Sequence, residues 1–103
     1  MLEIKNKNLT VTVDPHGAQL THVINNDTGH EYIWNNEAWP KHAPILFPAI
    51  GRSTNDEYLI NGNKYPMQQH GFVSDCDFEV INHEDTELLL SFKGNEMTFK
   101  SYP

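Results

Sequence analysis

Apolar and polar residues alternate in short runs along most of this sequence, and a turn signal follows nearly every run. "LEIKN" (residues 2–6) and "LTVTVD" (9–14) put Leu2 and Ile4, then Leu9, Val11 and Val13, on single faces. Successive side chains of a strand point to opposite sides, so this period predicts strands, and the "KN" between the runs predicts a hairpin turn. "DPHG" (14–17) is a second turn, with Pro15 presetting φ and Gly17 free to take a positive φ. "AQLTHVIN" follows, with Leu20, His22 and Ile24 on one face and Gln19, Thr21 and Val23 on the other, and then "EYIW" reads as an aromatic strand. Glu57–Ile60 and Lys64–Met67 flank "NGN", whose glycine suits a tight hairpin. "FEVIN" and "ELLLSF" form another strand pair across "HEDT", and only the closing "GNEMTFKSYP" reads as helical, with Asn95 as its N-cap. Many short strands separated by turns predict an all-β sandwich.

The 103 residues make one domain or part of one, and a chain this short has a modest core. Its formal charge is -7, with seven Lys plus Arg against fourteen Asp plus Glu. Nucleic acid is bound through clustered basic side chains that neutralise phosphates, and no such cluster occurs, so nucleic-acid and membrane-surface partners are not expected. A neutral polyol such as a sugar is compatible with this charge. Cys76 is the only cysteine, which precludes an intramolecular disulfide and CxxC-type metal sites. The six histidines match no metal-binding spacing. "MLEIKNKNLT" is polar and alternating, and no run reaches transmembrane length, so the expected address is the cytoplasm.

The densest stretch is residues 43–72, "APILFPAIGRSTNDEYLINGNKYPMQQHGF", which places the only arginine and a His-Gly pair at opposite ends of a predicted hairpin. Arg52 offers a permanently charged fork for a polyol or carboxylate, or else pairs with an acidic neighbour at the surface. His70 offers a hydrogen-bond donor or general acid, or is an ordinary turn histidine, while Gly71 permits a sharp turn or a close backbone approach. Gln68 and Gln69 add uncharged hydrogen-bonding capacity. His42 is a further candidate because it precedes the Ala-Pro segment that leads to Arg52. Trp39 divides evenly between loop packing and stacking on a sugar ring. Asp75 and Asp77 would share a face if extended, as an acid–base pair or a solvated strand edge. Cys76 lacks a nearby cation and reads as a structural thiol rather than a nucleophile.

"TVDPHGAQL", "HAPILFPAIGR", the Y-x-x-x-G-x-x-Y hairpin, "QHGF" and "DFEV" occur in that order over nearly the whole chain. Together they resemble the aldose 1-epimerase (galactose mutarotase-like) family, most closely its LacX-like branch. The resemblance implies a large β-sandwich of which residues 1–103 form the N-terminal part. It also implies a parent reaction that interconverts the α and β anomers of an aldose. In that reaction a carboxylate base and a histidine acid open and reclose the ring, without a metal or organic cofactor.

Carried over by position, the resemblance matches Arg52 to a substrate-contacting arginine and His70 to an active-site histidine near the ring oxygen. The principal acid histidine and base glutamate of the family have no counterpart before Pro103, so no catalytic residue is assigned within the chain. Ser74 stands where LacX-like sequences usually carry arginine. The expected site is therefore Arg52 and His70, with His42 and Trp39, binding an aldose. The competing expectations are a non-enzymatic sugar-binding module and an assembly fragment whose exposed strand edges pair with a second copy.

Overall fold

The structure, a computed structural model, describes residues 1–33 and 41–103. Among the described residues, three antiparallel sheets carry the fold. The first has the order β1–β2–β3, from Leu2–Lys5, Leu9–Asp14 and Gln19–Asn25. The second pairs β4 (Glu57–Ile60) with β5 (Asn63–Pro66), and the third pairs β6 (Glu79–His83) with β7 (Leu88–Ser91). One helical turn, α1 (Glu96–Phe99), comes last. The predicted all-β class and the three predicted strand pairings are thus present, together with a pairing of β2 with β3.

Local chemistry explains the turns. Asn6 Oδ1 accepts from the amides of Asn8 and Leu9, closing the β1–β2 turn. Asn61 and Gly62, at φ 51° and 83°, join β4 to β5, with Ile60 opposite Asn63. Two consecutive positive-φ residues make the two-residue turn whose twist matches the strands it joins. Asn95 caps α1 by accepting from the Thr98 amide at 3.0 Å, and the Thr98 hydroxyl accepts from the Asn95 amide at 2.8 Å. The predicted cap is therefore present, on a helix of four residues.

Two expectations change. "EYIW" does not continue as a strand over its described part: Glu31 makes a single bridge to Ile24, and Tyr32 is 56% exposed. The Glu31 carboxylate instead turns to His22 Nδ1 at 2.9 Å and the Val23 amide at 3.2 Å, so a side chain takes over part of the backbone pairing. Asp75 lies in a 3-10 turn, Val73–Asp75, so Asp75 and Asp77 do not form an extended i, i+2 pair.

The sheets are spread out rather than closed on one another. The radius of gyration is 16.5 Å and the extents are 54 × 31 × 18 Å, against about 13 Å for a compact domain of 100 residues. Val13, Met67 and Val73 are the buried apolar residues among those described, whereas Ile50 is 85% exposed and Leu59 65%. An isolated large apolar side chain at a surface is ordinary, but here the exposed set outweighs the buried one.

Long-range backbone contacts organise the part that carries the candidate residues. The Asp14–Gly17 turn docks on residues 74–78: the Gly17 amide donates to the Cys76 carbonyl at 2.7 Å, and the Phe78 amide to the Pro15 carbonyl at 2.9 Å. A Cβ on Gly17 would lie 2.4 Å from the Ser74 carbonyl oxygen, so the approach requires glycine there. Phe47 bridges Gly71 in parallel, and its carbonyl accepts from the amides of Phe72 and Val73.

Candidate functional site

The β4–β5 hairpin brings its two flanks together, as the sequence predicted. Pairing continues past the strands, from the Met67 amide to the Asp56 carbonyl at 2.8 Å and from the His70 amide to the Gly51 carbonyl at 2.7 Å. The Gly51 amide returns a bond to His70 Nδ1 at 3.0 Å. His70 is therefore held to Gly51 by both backbone and ring. Because Nδ1 accepts, the ring proton of the neutral imidazole lies on Nε2, which has no hydrogen-bond partner among the described residues. The side chain is a half-buried, oriented N–H donor held against Gly51, the residue that precedes Arg52 in the chain.

This geometry requires unusual backbone. His70 and Gly71 have φ of 65° and 77°. The left-handed region disfavours side chains other than glycine's, so His70 must be held there by its surroundings. At Gly71, an added Cβ would lie 2.0 Å from the Phe47 carbonyl oxygen. The His-Gly pair thus combines a constrained histidine with the one residue type that lets residue 47 pass so closely.

Arg52 is 65% exposed on its side chain and binds Asp56 side-on, with Nε to Oδ1 at 2.8 Å and an Nη to Oδ2 at 3.2 Å. This hydrogen bond, followed by Coulomb attraction, raises the guanidinium pKa further. The contacts with Asp56 are those of the surface-pair alternative for Arg52. The sequence did not single out Asp56; its approach to Arg52 depends on the positive φ of Asn55 and Asp56, which coil the chain after Ser53.

His42 lies toward β3. Its amide donates to Gln19 Oε1 at 3.1 Å, and Ala43 bridges Leu20. His42 Nδ1 is buried without a hydrogen-bond partner among the described residues. No hydrogen bond joins His42 to His70 or Arg52 among the described residues. Trp39 lies outside the described residues, as does Trp34. Pro48, Ala49 and Ser53, on either side of Gly51, line a cavity of about 220 Å³ with Tyr58, Met67 and Tyr102. Arg52 and His70 are not among those lining residues.

Around the His70 turn, other side chains form a polar lattice that spacing did not reveal. Lys41 Nζ donates to the hydroxyl of the buried Ser74 at 3.0 Å and lies 3.5 Å from Asp75 Oδ1. Gln68 Nε2 donates to the Gly71 carbonyl and to Asp75 Oδ2. His16 Nδ1 pairs with Asp77 Oδ1 at 2.7 Å, and this bond raises the imidazole pKa above its ordinary value. Burial pushes the Cys76 thiol up, with Asp75 and Asp77 adding to the shift. A raised thiol pKa reduces the nucleophilic thiolate, in keeping with a structural role. Among the described residues, no group of three or more His, Cys, Asp or Glu could hold a metal ion, and no helix is long and apolar enough to cross a membrane.

The fold is all-β, and comparison with known proteins gives the family. Residues 1–103 match the aldose 1-epimerase family model. The chain belongs to that family. It is 33% identical to the plasmid-encoded protein LacX of Lactococcus lactis subsp. lactis, over 98% of this chain and 36% of that protein. A galactose mutarotase-like protein from Lactobacillus casei superposes with a TM-score of 0.97 at 37% identity, over 100% of this chain and 36% of its own. A galactose mutarotase related enzyme from Lactobacillus acidophilus gives a TM-score of 0.94 at 41% identity, over 98% of this chain and 34% of its own. The chain spans about a third of the length of these relatives.

Proposed function

We infer that residues 1–103 supply one side of an aldose-binding site in a mutarotase-like β-sandwich. The parent reaction is interconversion of anomers by acid–base ring opening. The observation that carries this reading is the two-way bond between His70 and Gly51. It fixes the imidazole as an Nε2–H donor, the form suited to a sugar ring or hydroxyl oxygen, with the Arg52 fork one residue away. His42 is a second contact, its buried Nδ1 lacking, among the described residues, a partner that a hydroxyl would provide; Trp39 remains a proposed stacking face. An imidazole that accepts at Nδ1 presents its Nε2–H as a donor. His70 is accordingly a binding and polarising group, with the acid and base roles left to other residues. The address proposed is the cytoplasm.

Mutarotation of freshly dissolved α-galactose and α-glucose, followed by polarimetry, tests the division of labour. Residues 1–103 alone are expected to bind the sugar without accelerating anomerisation. Acceleration that disappears in His70→Ala would place complete acid–base machinery within this chain or its assembly.

The exposed apolar residues Ile50, Leu59 and Met97 and the open edges of the two-stranded sheets favour a second reading, in which the chain acts through assembly. A second copy pairing along these edges is its simplest form. Concentration-dependent size in sedimentation, with no response to sugar, would select it.

A further inference from the structure

We propose that Gln68 is a positioning residue for His70, and that the Lys41–Asp75 pair holds Gln68 in place. Residues 68–71 form a turn closed twice. The Gly71 amide donates to the Gln68 carbonyl at 3.0 Å, and Gln68 Nε2 donates to the Gly71 carbonyl at 2.7 Å. Between these closures lie Gln69 and His70, the latter at φ 65°. A turn closed only by its backbone bond would leave the left-handed conformation of His70 to the Gly51 contact alone. The side-chain clasp adds a second constraint on the same peptide planes.

The second proton of Nε2 is also engaged. It points to Asp75 Oδ2 at 3.2 Å, while Asp75 Oδ1 faces Lys41 Nζ at 3.5 Å. Lys41 is itself fixed by the hydroxyl of buried Ser74 at 3.0 Å. The Gln68 amide therefore sits between a carbonyl and a carboxylate, two acceptors, and only its NH2 end satisfies both. This dictates its orientation. Lys41 ties the segment carrying His42 to the turn carrying His70, so the lattice joins two of the candidate sugar contacts. The importance of the clasp for ligand binding rests on the proposed aldose site; its effect on His70 does not.

The chemistry makes opposite use of two nearly isosteric side chains. Gln68→Glu keeps the shape but presents acceptors to the Gly71 carbonyl and to Asp75, so it should open the turn more than Gln68→Ala does. The test uses the ligand-free 103-residue chain. Imidazole nitrogen shifts report whether Nδ1 remains the acceptor, and amide exchange reports the Gly51 and His70 bonds. Loss of one charge-assisted bond corresponds to roughly a tenfold fall in local protection. We expect that fall at Gly51 and His70 in Gln68→Glu at neutral pH, with a mixture of imidazole tautomers. Exchange at Asn63, in the separate β4–β5 turn, should not change. Unchanged His70 nitrogen shifts and unchanged protection at both amides would overturn the proposal. Should Gln68→Glu unfold the chain, Lys41→Met gives the same reading at a distance. It should loosen His70 in the same direction, roughly threefold, and an unaffected His70 would equally overturn it. A separate titration of the wild-type chain with galactose tells the two ideas apart. No response to sugar would remove the aldose site and leave the clasp standing, whereas a normal sugar response in a fully opened Gln68→Glu turn would remove the clasp from the binding mechanism.

Discussion

Gly71→Ala perturbs the site at the point where its backbone geometry is tightest. Two penalties add. Gly71 has φ 77°, where an alanine is disfavoured by roughly 1–2 kcal/mol. The new methyl would lie 2.0 Å from the Phe47 oxygen and 2.7 Å from the Pro48 nitrogen, and both are backbone atoms. Residue 47 has little freedom to retreat, because its carbonyl also binds the Phe72 and Val73 amides at 3.0 and 3.2 Å. Overpacking of this kind costs roughly 1–3 kcal/mol. The expected destabilisation is therefore about 2–5 kcal/mol, at the severe end for one methyl group. Gly62→Ala is the matched control: its φ is 83°, but nothing lies within 4 Å of the added Cβ, so only the conformational penalty applies. In urea unfolding monitored by circular dichroism, the midpoint of Gly71→Ala should fall below that of Gly62→Ala by about 1 M. Coincident midpoints would refute the claim that close passage of residue 47 demands glycine at 71.

The remaining predictions concern groups around the turn. Asp77 raises the His16 pKa, so proton binding by His16 favours the fold. This contribution is fully present below the ordinary histidine value near 6.5 and is lost as pH rises through the raised folded value; Asp77→Asn should flatten that part of the stability–pH curve, and an unaltered curve would sink the idea. Cys76, half-buried with its thiol pKa pushed up, should react with a disulfide reagent at pH 8 more slowly than a free small thiol. Equal rates would show that burial does not protect it. Asn95→Ala removes the acceptor for the Thr98 amide and should lower stability by about 1 kcal/mol, while Asn95→Asp should retain most of it. Equal loss in both variants would argue against the cap.

Local structure was legible in the sequence wherever two or three adjacent residues decide it. Asn61-Gly62 sets both turn type and register of β4–β5, and Asn95 is recognisable as a cap three residues before Thr98. Period two located the other strands, although it also suggested one at "EYIW", where the Glu31 carboxylate bonds His22 and the Val23 amide. Alternation describes which face a side chain would take, and says nothing of a carboxylate competing for the same donors.

Distance in sequence hid the rest. His16 meets Asp77 across 61 residues, and Lys41 meets Ser74 across 33. Neither pairing has a local signature. For the candidate site, the hairpin correctly predicted that the flanks bearing Arg52 and His70 would meet, because an antiparallel pair continues naturally beyond its last ladder bond. It could not predict that Gly51, rather than Arg52, would receive His70, or that Asp56 would occupy one side of the arginine fork. Those outcomes depend on positive φ at Asn55, Asp56 and His70, residues for which that conformation is uncommon and sequence carries only a weak signal.

The central claim is that the Gly51–His70 couple presents an Nε2–H donor to an aldose. Its most direct test is a titration of isotope-labelled chain with galactose, following the Gly51 and Arg52 amides and the His70 ring nitrogens by NMR. The account predicts saturable shifts at all three, with His70 Nδ1 remaining an acceptor throughout, and their loss in His70→Ala. Shifts confined to other residues, or none in a folded chain, would contradict it.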